Sequence, residues 1–162
     1  NFWEKHTLLV CTVVFLFILR FYLNRRDEAF FEEEDKRAEG AVKAINSVEE
    51  YEKEDYPFVV IDFYATWCPP CKRAAPIYAS MSKDYNENLV KFLKVNVDKV
   101  PGLAKLFEIT AMPTFKIVNK KKNEVLATVV GWNEVELRRQ LALLVDKNSA
   151  GTDTLKKRTI TK

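Results

Sequence analysis

The chain has 162 residues, of which 48% are hydrophobic and 30% charged, and its formal net charge is +3. This balance is typical of one globular domain with a core of its own and excludes a disordered polypeptide. The small net charge, without a basic stripe interleaved with aromatic residues, also excludes a nucleic-acid-binding protein.

The first predicted element is an apolar run, "LLVCTVVFLFIL" at residues 8–19, which continues past Arg20 as "FYL". At residues 7–23 the run is near the lower length limit for a helix that crosses a bilayer, and aromatic residues flank it as they do at membrane interfaces. A signal peptide has a similar apolar core, but the charged "NRRDE" follows here instead of a small-residue cleavage site. We therefore predict a single transmembrane helix at residues 7–23.

Changes in hydrophobicity and charge along the sequence divide the chain into four segments. We predict an anchor with its flanks at residues 1–23, a charged helical stalk at 24–40, a globular domain at 41–147 and a polar, basic tail at 148–162. The stalk contains Phe30 and Phe31, which a solvated helix does not need. These two rings predict a contact with a partner or with the globular domain.

The charges beside the apolar run predict its orientation. Arg20, Arg25 and Arg26 follow the centre of the run, whereas only Lys5 precedes it. The positive-inside rule then places the domain on the cytosolic or matrix side of an organellar membrane, either the mitochondrial inner membrane or an endomembrane. Because the sequence begins with Asn rather than Met, we expect a part of the chain to precede it, and such a segment can reverse this orientation.

From residue 41 onward, strands and helices alternate. Capping-box spacing predicts helix starts near Ser47 and Asn133, and Pro70 is a favoured residue for a first helical turn. The predicted order is a strand at "AVKAIN", a short helix, a buried strand at 58–65, a helix at 70–86 with a kink at Pro76, a buried strand at 90–98, a helix at "PGLAKLFEI", a hairpin of "TFKIV" and "VLATVVG", and a final amphipathic helix. The order βαβαβαββα predicts an α/β fold with a mixed sheet covered by helices.

The cysteine pair lies in "DFYATWCPPCKRAAP" at residues 62–76. A four-ligand zinc or iron–sulfur site would need a second pair of ligands at metal spacing, and the sequence has none, because His6 and Cys11 lie far from the pair in the N-terminal segment. A metal shared with a second chain stays an alternative. A purely structural disulfide bond that closes so short a loop would stabilise the fold little. We therefore predict a reversible Cys68–Cys71 redox couple and no metal.

The position of the pair predicts a different role for each cysteine. Between a strand and a helix, Cys68 lies at the helix N-terminus, where the free N–H groups and the helix dipole favour a thiolate. Cys71 lies one turn into the helix and is more sheltered. We expect Cys68 to be the nucleophile and Cys71 to resolve the mixed disulfide.

Asp62 is a charged residue inside the apolar run "VVIDFY". Burial of an unpaired carboxylate raises its pKa, and a buried acid of this kind can take the proton of the resolving thiol. Lys94, on the next predicted strand, is expected to approach it. The alternative is an Asp at the edge of a strand, hydrogen-bonded to the backbone.

The segment "AMPTF" contains a proline that opens a strand. If Pro113 is cis and faces the cysteines, the backbone of Met112 can pair with an extended substrate segment. From the residues alone, an ordinary trans proline is the better interpretation.

Four motifs in this order, "VVIDFYATWCPPCKRAAP", "KVNVD", "AMPTF" and "VVGW", resemble the thioredoxin family over roughly residues 41–147. The resemblance implies the thioredoxin fold, with Cys68 as nucleophile, Cys71 as resolving cysteine and Asp62 as acid/base with Lys94 beside it. It also implies that Pro113 is cis and that Pro76 kinks the helix. The expected substrate-binding residues are Trp67, Pro69, Pro70, Met112, Pro113, Gly131 and Trp132.

The chain departs from the usual family pattern at several positions. Pro69 replaces a glycine, so that CPPC looks more like the motif of tryparedoxins or membrane-tethered thiol reductases. Tyr64 replaces the usual tryptophan, Trp132 adds bulk beside the groove, and the "NKKKNE" loop has no turn glycine. These departures concern the partner and the redox potential rather than the exchange chemistry.

These observations predict a membrane-anchored thiol–disulfide oxidoreductase that acts on protein cysteines. The sequence contains no glycine-rich phosphate-binding loop, so neither a flavin nor a nicotinamide cofactor is predicted. Electrons are therefore expected from a separate reductase or a thiol pool. The alternative is an accessory subunit with a thioredoxin fold in a larger membrane complex, such as a respiratory-chain assembly, with a structural or redox-sensing role.

Overall fold

The computed structural model describes the backbone of residues 2–37 and 42–149. Within these ranges the side chains of residues 2–8, 24, 27, 28, 32, 34–37 and 147–149 lie outside the description. The end of the predicted stalk and nearly all of the predicted tail therefore also lie outside the described residues. The boundaries of the four predicted segments remain predictions.

The described chain folds into an N-terminal helix followed by alternating strands and helices. The elements are α1 (Phe2–Arg37), β1 (Val42–Ile45), α2 (Val48–Glu52), β2 (Phe58–Tyr64), α3 (Pro69–Ser82), β3 (Val90–Asn96), α4 (Pro101–Leu106), β4 (Thr114–Asn119), β5 (Glu124–Val130) and α5 (Glu134–Ser149). The five strands form one sheet in the order β1-β3-β2-β4-β5. β1, β3 and β2 are parallel, whereas β4 and β5 are antiparallel to their neighbours, which confirms the mixed sheet.

The sheet has an apolar layer on each face because successive residues of β2 point to opposite sides. Val60 joins the cluster formed with α3 and α5, which contains Tyr78 and Leu137. Val59 joins the opposite cluster, which contains Leu103 of α4. A central strand that is covered on both faces is apolar at nearly every position, as the run at residues 58–65 predicted, and Asp62 is the exception in β2.

Two local features differ from the pattern in the sequence. α3 ends at Ser82 rather than at residue 86, and the following turn contains a hydrogen bond from the Asn88 N–H to Asn86 Oδ1 at 3.1 Å. Asparagine side chains compete with helical hydrogen bonds in this way and favour turns. In the lysine-rich hairpin loop, Asn123 has a φ of 50° and takes the left-handed position of the missing glycine.

α1 continues without a break from the predicted anchor into the predicted stalk as far as Arg37, as the helix-forming residues of the stalk predicted. Its residues 9–23 are exposed on every face of the helix. Within the stretches of chain that the structure describes, no helix is long and apolar enough to span a bilayer. The predicted transmembrane helix is thus not confirmed, and the side chains of residues 7 and 8, which belong to it, lie outside the description.

Tyr78 ties β2 and β3 together, because its hydroxyl lies 2.8 Å from the Val60 carbonyl oxygen and 2.9 Å from that of Leu93. We expect Tyr78→Phe to lower the free energy of unfolding by about 1–2 kcal/mol, since two buried carbonyls lose this donor. Tyr51→Phe is the matched control, because the buried Tyr51 hydroxyl has no hydrogen-bond partner among the described residues. Urea denaturation measures both, and an equal loss in the two variants would contradict this role.

Candidate active site

The cysteine pair lies where β2 passes into α3. Cys68 is the N-cap residue of α3, and its Sγ accepts a hydrogen bond from the Cys71 N–H at 3.3 Å. The two cysteines form a disulfide, with their Cα atoms 5.3 Å apart. Pro69 and Pro70 occupy the first helical positions, where a missing N–H breaks no helical hydrogen bond. The predicted position of the Cys68 sulfur at the helix N-terminus is confirmed.

Asp62 and Lys94 lie directly opposite each other on β2 and β3, and both are buried. Burial raises the pKa of Asp62 to about 7, although the positive charge of Lys94 opposes that rise. Asp62 Oδ1 accepts no hydrogen bond from any described residue. The carboxyl group therefore exchanges its proton near neutral pH, as predicted for a buried acid.

The Met112–Pro113 peptide bond is cis, as the resemblance implied. The Gly131 N–H donates a hydrogen bond to the Pro113 carbonyl oxygen at 2.8 Å. Gly131 has a φ of 77°, a backbone conformation that residues with a Cβ rarely adopt. Met112 is half-buried and packs against the cluster that contains both cysteines. The structure thus brings the proline segment and the cysteine pair together.

The two tryptophans that the sequence placed beside the site have different surroundings. Trp67 is 57% exposed, and its indole Nε1–H donates a hydrogen bond to Asp98 Oδ2 at 2.8 Å. Trp132 is half-buried and packs against the ring of Phe115 at 5.7 Å between centroids. Asp98 was missed as a site residue, although it is the last residue of the "KVNVD" motif.

Phe31 brings α1 into the site. It is 4% exposed and belongs to one buried cluster with Tyr64, Ala65 and the two cysteines. Of the two stalk phenylalanines, Phe30 packs against this cluster from its edge. The predicted contact of these rings with the domain is confirmed, but its place beside the disulfide was not foreseen.

The arrangement contains what reversible thiol–disulfide exchange requires. A cysteine pair is close enough to form a disulfide, and one sulfur lies at a helix N-terminus, which stabilises a thiolate. A buried carboxyl group on the adjoining strand has a pKa of about 7 and can take up or release a proton at neutral pH.

Comparison with known proteins agrees with this chemistry. The protein-family model described as Thioredoxin matches residues 42–142. Thioredoxin H3 of Arabidopsis thaliana is 41% identical over 106 residues, which are 62% of this chain and 86% of that protein. Thioredoxin 1 of Plasmodium falciparum is 37% identical over 111 residues, 67% of this chain and 99% of that protein. A crystal structure of a wild-type thioredoxin h from poplar has a TM-score of 0.60 at 30% identity, over 66% of this chain and 98% of that one.

The raised pKa of Asp62 predicts how stability depends on pH. The folded carboxyl has a pKa of about 7 against 3.8 for the ordinary group, so the unfolded chain binds fewer protons between these values. The free energy of unfolding therefore falls as pH rises from about 4 to 7, by about 4 kcal/mol from this group. Asp62→Asn removes this dependence but also removes a negative charge near Lys94, so we expect a net gain of about 2 kcal/mol at pH 8.

Urea denaturation of the oxidised protein at pH 4 and pH 8 measures this gain, which should be present at pH 8 and absent at pH 4. Asp98→Asn is the control for loss of one carboxylate, because Asp98 is exposed in the turn that follows β3. An Asp62→Asn protein that is no more stable than the wild type at pH 8 would contradict the assigned pKa.

Proposed function

The chain belongs to the thioredoxin family and is a thiol–disulfide oxidoreductase, and we propose that it exchanges disulfides with protein substrates at a membrane through the Cys68–Cys71 couple. The observation that carries the proposal is the disulfide at the N-terminus of α3, together with a buried carboxyl group on the preceding strand. The substrate is a protein disulfide, and the upstream reductant is a separate reductase or a thiol pool.

In the reduced protein, Cys68 is the nucleophile. Its thiolate, stabilised by the helix N-terminus and the Cys71 N–H, attacks one sulfur of the substrate disulfide. A bond forms between Cys68 Sγ and that sulfur, and the other substrate sulfur leaves as a thiolate. Cys71 then loses its proton and attacks Cys68 Sγ, which closes the Cys68–Cys71 disulfide and releases the second substrate thiolate. Two electrons pass from the cysteine pair to the substrate.

Asp62 accepts the proton of Cys71. With a pKa of about 7, its carboxylate is present at neutral pH and is basic enough to take a proton from a thiol. Lys94 lies opposite on β3, and its positive charge opposes the rise in the pKa of Asp62. Lys94 thereby keeps part of the carboxyl population ionised at working pH.

The substrate lies across the residues around the pair. An extended peptide segment pairs with the backbone of Met112, next to the buried Pro113. Trp67 and Pro69 are exposed and contact the substrate directly. The rest of this surface is formed by Pro70, Gly131 and Trp132.

Residues 7–23 of α1 attach the protein to a lipid bilayer. All side chains from residue 9 to residue 23 are exposed, on every face of the helix. A helix that is apolar all round is stable only when it is surrounded by apolar material, and a narrow docking groove covers one face only. At 1.5 Å per residue the segment is about 25 Å long, against about 30 Å for the hydrocarbon core.

Arg25 lies over the ring of Phe21 at 5.1 Å, where the apolar run gives way to charge. With Arg20 and Arg26 it forms a basic end that favours the cytosolic or matrix face. The thioredoxin domain follows on that side, at an organellar membrane such as the mitochondrial inner membrane or an endomembrane.

The redox proposal predicts separate effects for the three cysteines. In an insulin-reduction assay with the full chain, Cys68→Ser should lose at least about a hundredfold in rate, because the attacking thiolate is absent. Cys71→Ser should accumulate a mixed disulfide with the substrate, visible on a non-reducing gel. Cys11→Ser is the control and should keep full activity, because Cys11 is a free, exposed cysteine on α1. Full activity of Cys68→Ser would contradict the mechanism.

Membrane attachment is tested by alkaline carbonate extraction of the expressed full chain. We expect the wild type to stay in the membrane pellet and the double variant Val13→Arg/Leu16→Arg to be released, because charge in the bilayer centre costs several kcal/mol. Glu33→Arg, an exposed position further along α1, should stay in the pellet. Release of the wild type would contradict the anchor. Migration in a larger assembly on native gels would favour the accessory-subunit alternative.

A further inference from the structure

Phe31 lies on α1, outside the region that the family model matches, yet its ring is part of the redox site. We propose that Phe31 is a positioning residue for the reaction, and that together with Tyr64 it holds the ammonium group of Lys94 beside Asp62. The inference rests on the role of Asp62 in the proposed function. It assigns a task in the chemistry to a helix that the thioredoxin domain does not include.

The geometry consists of two aromatic rings and one cation. The rings of Phe31 and Tyr64 are 4.5 Å apart between centroids, with an interplanar angle of 36°. Lys94 Nζ lies 5.7 Å from the centre of the Phe31 ring and 5.4 Å from that of Tyr64. Phe30 meets the Phe31 ring edge-on at 5.3 Å and supports it.

The two rings and Lys94 are all shielded from water. Phe31 is 4% exposed, Tyr64 8% and Lys94 7%. A cation within about 6 Å of an aromatic face is attracted to it, and more strongly so when water is excluded. Exclusion of water also strengthens the effect of the Lys94 charge on a carboxyl group close by.

The sheet alone does not decide where the ammonium group of Lys94 lies. The register aligns the Cα atoms of Asp62 and Lys94, but a lysine side chain has a flexible four-carbon stem. The faces of Phe31 and Tyr64 attract the ammonium group and favour one direction of this stem. Phe31 supplies the cover on the α1 side, so the placement of the charge depends on the docking of α1.

The groups that face Asp62 come from several elements. β3 contributes Lys94, whose charge lowers the pKa of Asp62. α3 contributes Tyr78, and burial raises the pKa of Tyr78 well above its ordinary value, so its hydroxyl stays neutral. β4 places the apolar Phe115 opposite Asp62. A loosened Lys94 would therefore move the titration of Asp62 upwards.

The test is a direct titration of the Asp62 carboxyl carbon by ¹³C NMR, in the oxidised full chain in detergent micelles. Phe31→Leu keeps an apolar side chain but removes the aromatic face. We expect it to raise the titration midpoint of Asp62 by about half a pH unit. The pH profile of substrate reduction should shift in the same direction.

A double-mutant comparison shows whether the effect passes through Lys94. In a Lys94→Met background, Phe31→Leu should leave the Asp62 midpoint unchanged, because the charge that Phe31 holds is absent. Phe21→Leu is the matched control on an exposed part of α1 and should shift nothing in either background. Should Phe31→Leu fail to fold, as judged by circular dichroism, Phe31→Met takes its place with the same expectation.

Two results would overturn the proposal. One is an unchanged Asp62 midpoint in the Phe31 variant, and the other is a shift of equal size with and without Lys94. Because the titration is read in the oxidised protein without substrate turnover, its outcome is separate from that of the insulin and carbonate experiments.

Discussion

The site is organised around a carboxyl group that the sheet keeps out of water. Asp62 lies in the middle of β2, a strand covered on both faces, and burial there raises its pKa to about 7. A buried carboxyl group lowers the stability of the fold, and such groups are typically found where a reaction requires them. The Cys68–Cys71 disulfide, which follows the same strand, provides such a reaction. The parallel pairing of β2 with β3 supplies the opposing charge of Lys94 in the same register.

α1 joins two parts of the molecule that have different surroundings. Its residues 9–23 expose apolar side chains on every face, whereas Phe31 is buried beside Tyr64 and the cysteines. A single continuous helix connects the two. The same helix thus presents apolar side chains at one end and contributes a buried ring to the redox site at the other.

One departure from the usual family pattern lies where α1 meets the domain. Tyr64, at a position where the family usually has tryptophan, stacks against Phe31 and also contacts Lys94. Pro69 is exposed in the first turn of α3, next to Trp67. Trp132 instead turns its ring towards Phe115 and the core. The first of these changes fits the helix that docks here, whereas Pro69 has no such structural counterpart.

The order of the elements and the chemistry of the cysteine pair could be predicted from the sequence alone. Unbroken apolar runs predict covered strands such as β2, and the spacing of Cys68 and Cys71 before a helix predicts a redox couple, because these signals are local. The burial of Asp62 was predictable for the same reason: a single charge interrupts an otherwise apolar strand. The cis bond at Pro113 was predictable only through the family resemblance, since an isolated X-Pro pair favours trans.

Which distant residues share the site depends on how the helices and the sheet pack against one another. The pairing of Trp67 with Asp98 and the stacking of Phe31 on Tyr64 join residues far apart in the chain. Side-chain periodicity assigns a residue to a face of its own helix or strand, but it carries no information on which element that face will meet. The contact between α1 and the redox site is of this kind, because it depends on how a whole helix docks rather than on any local pattern.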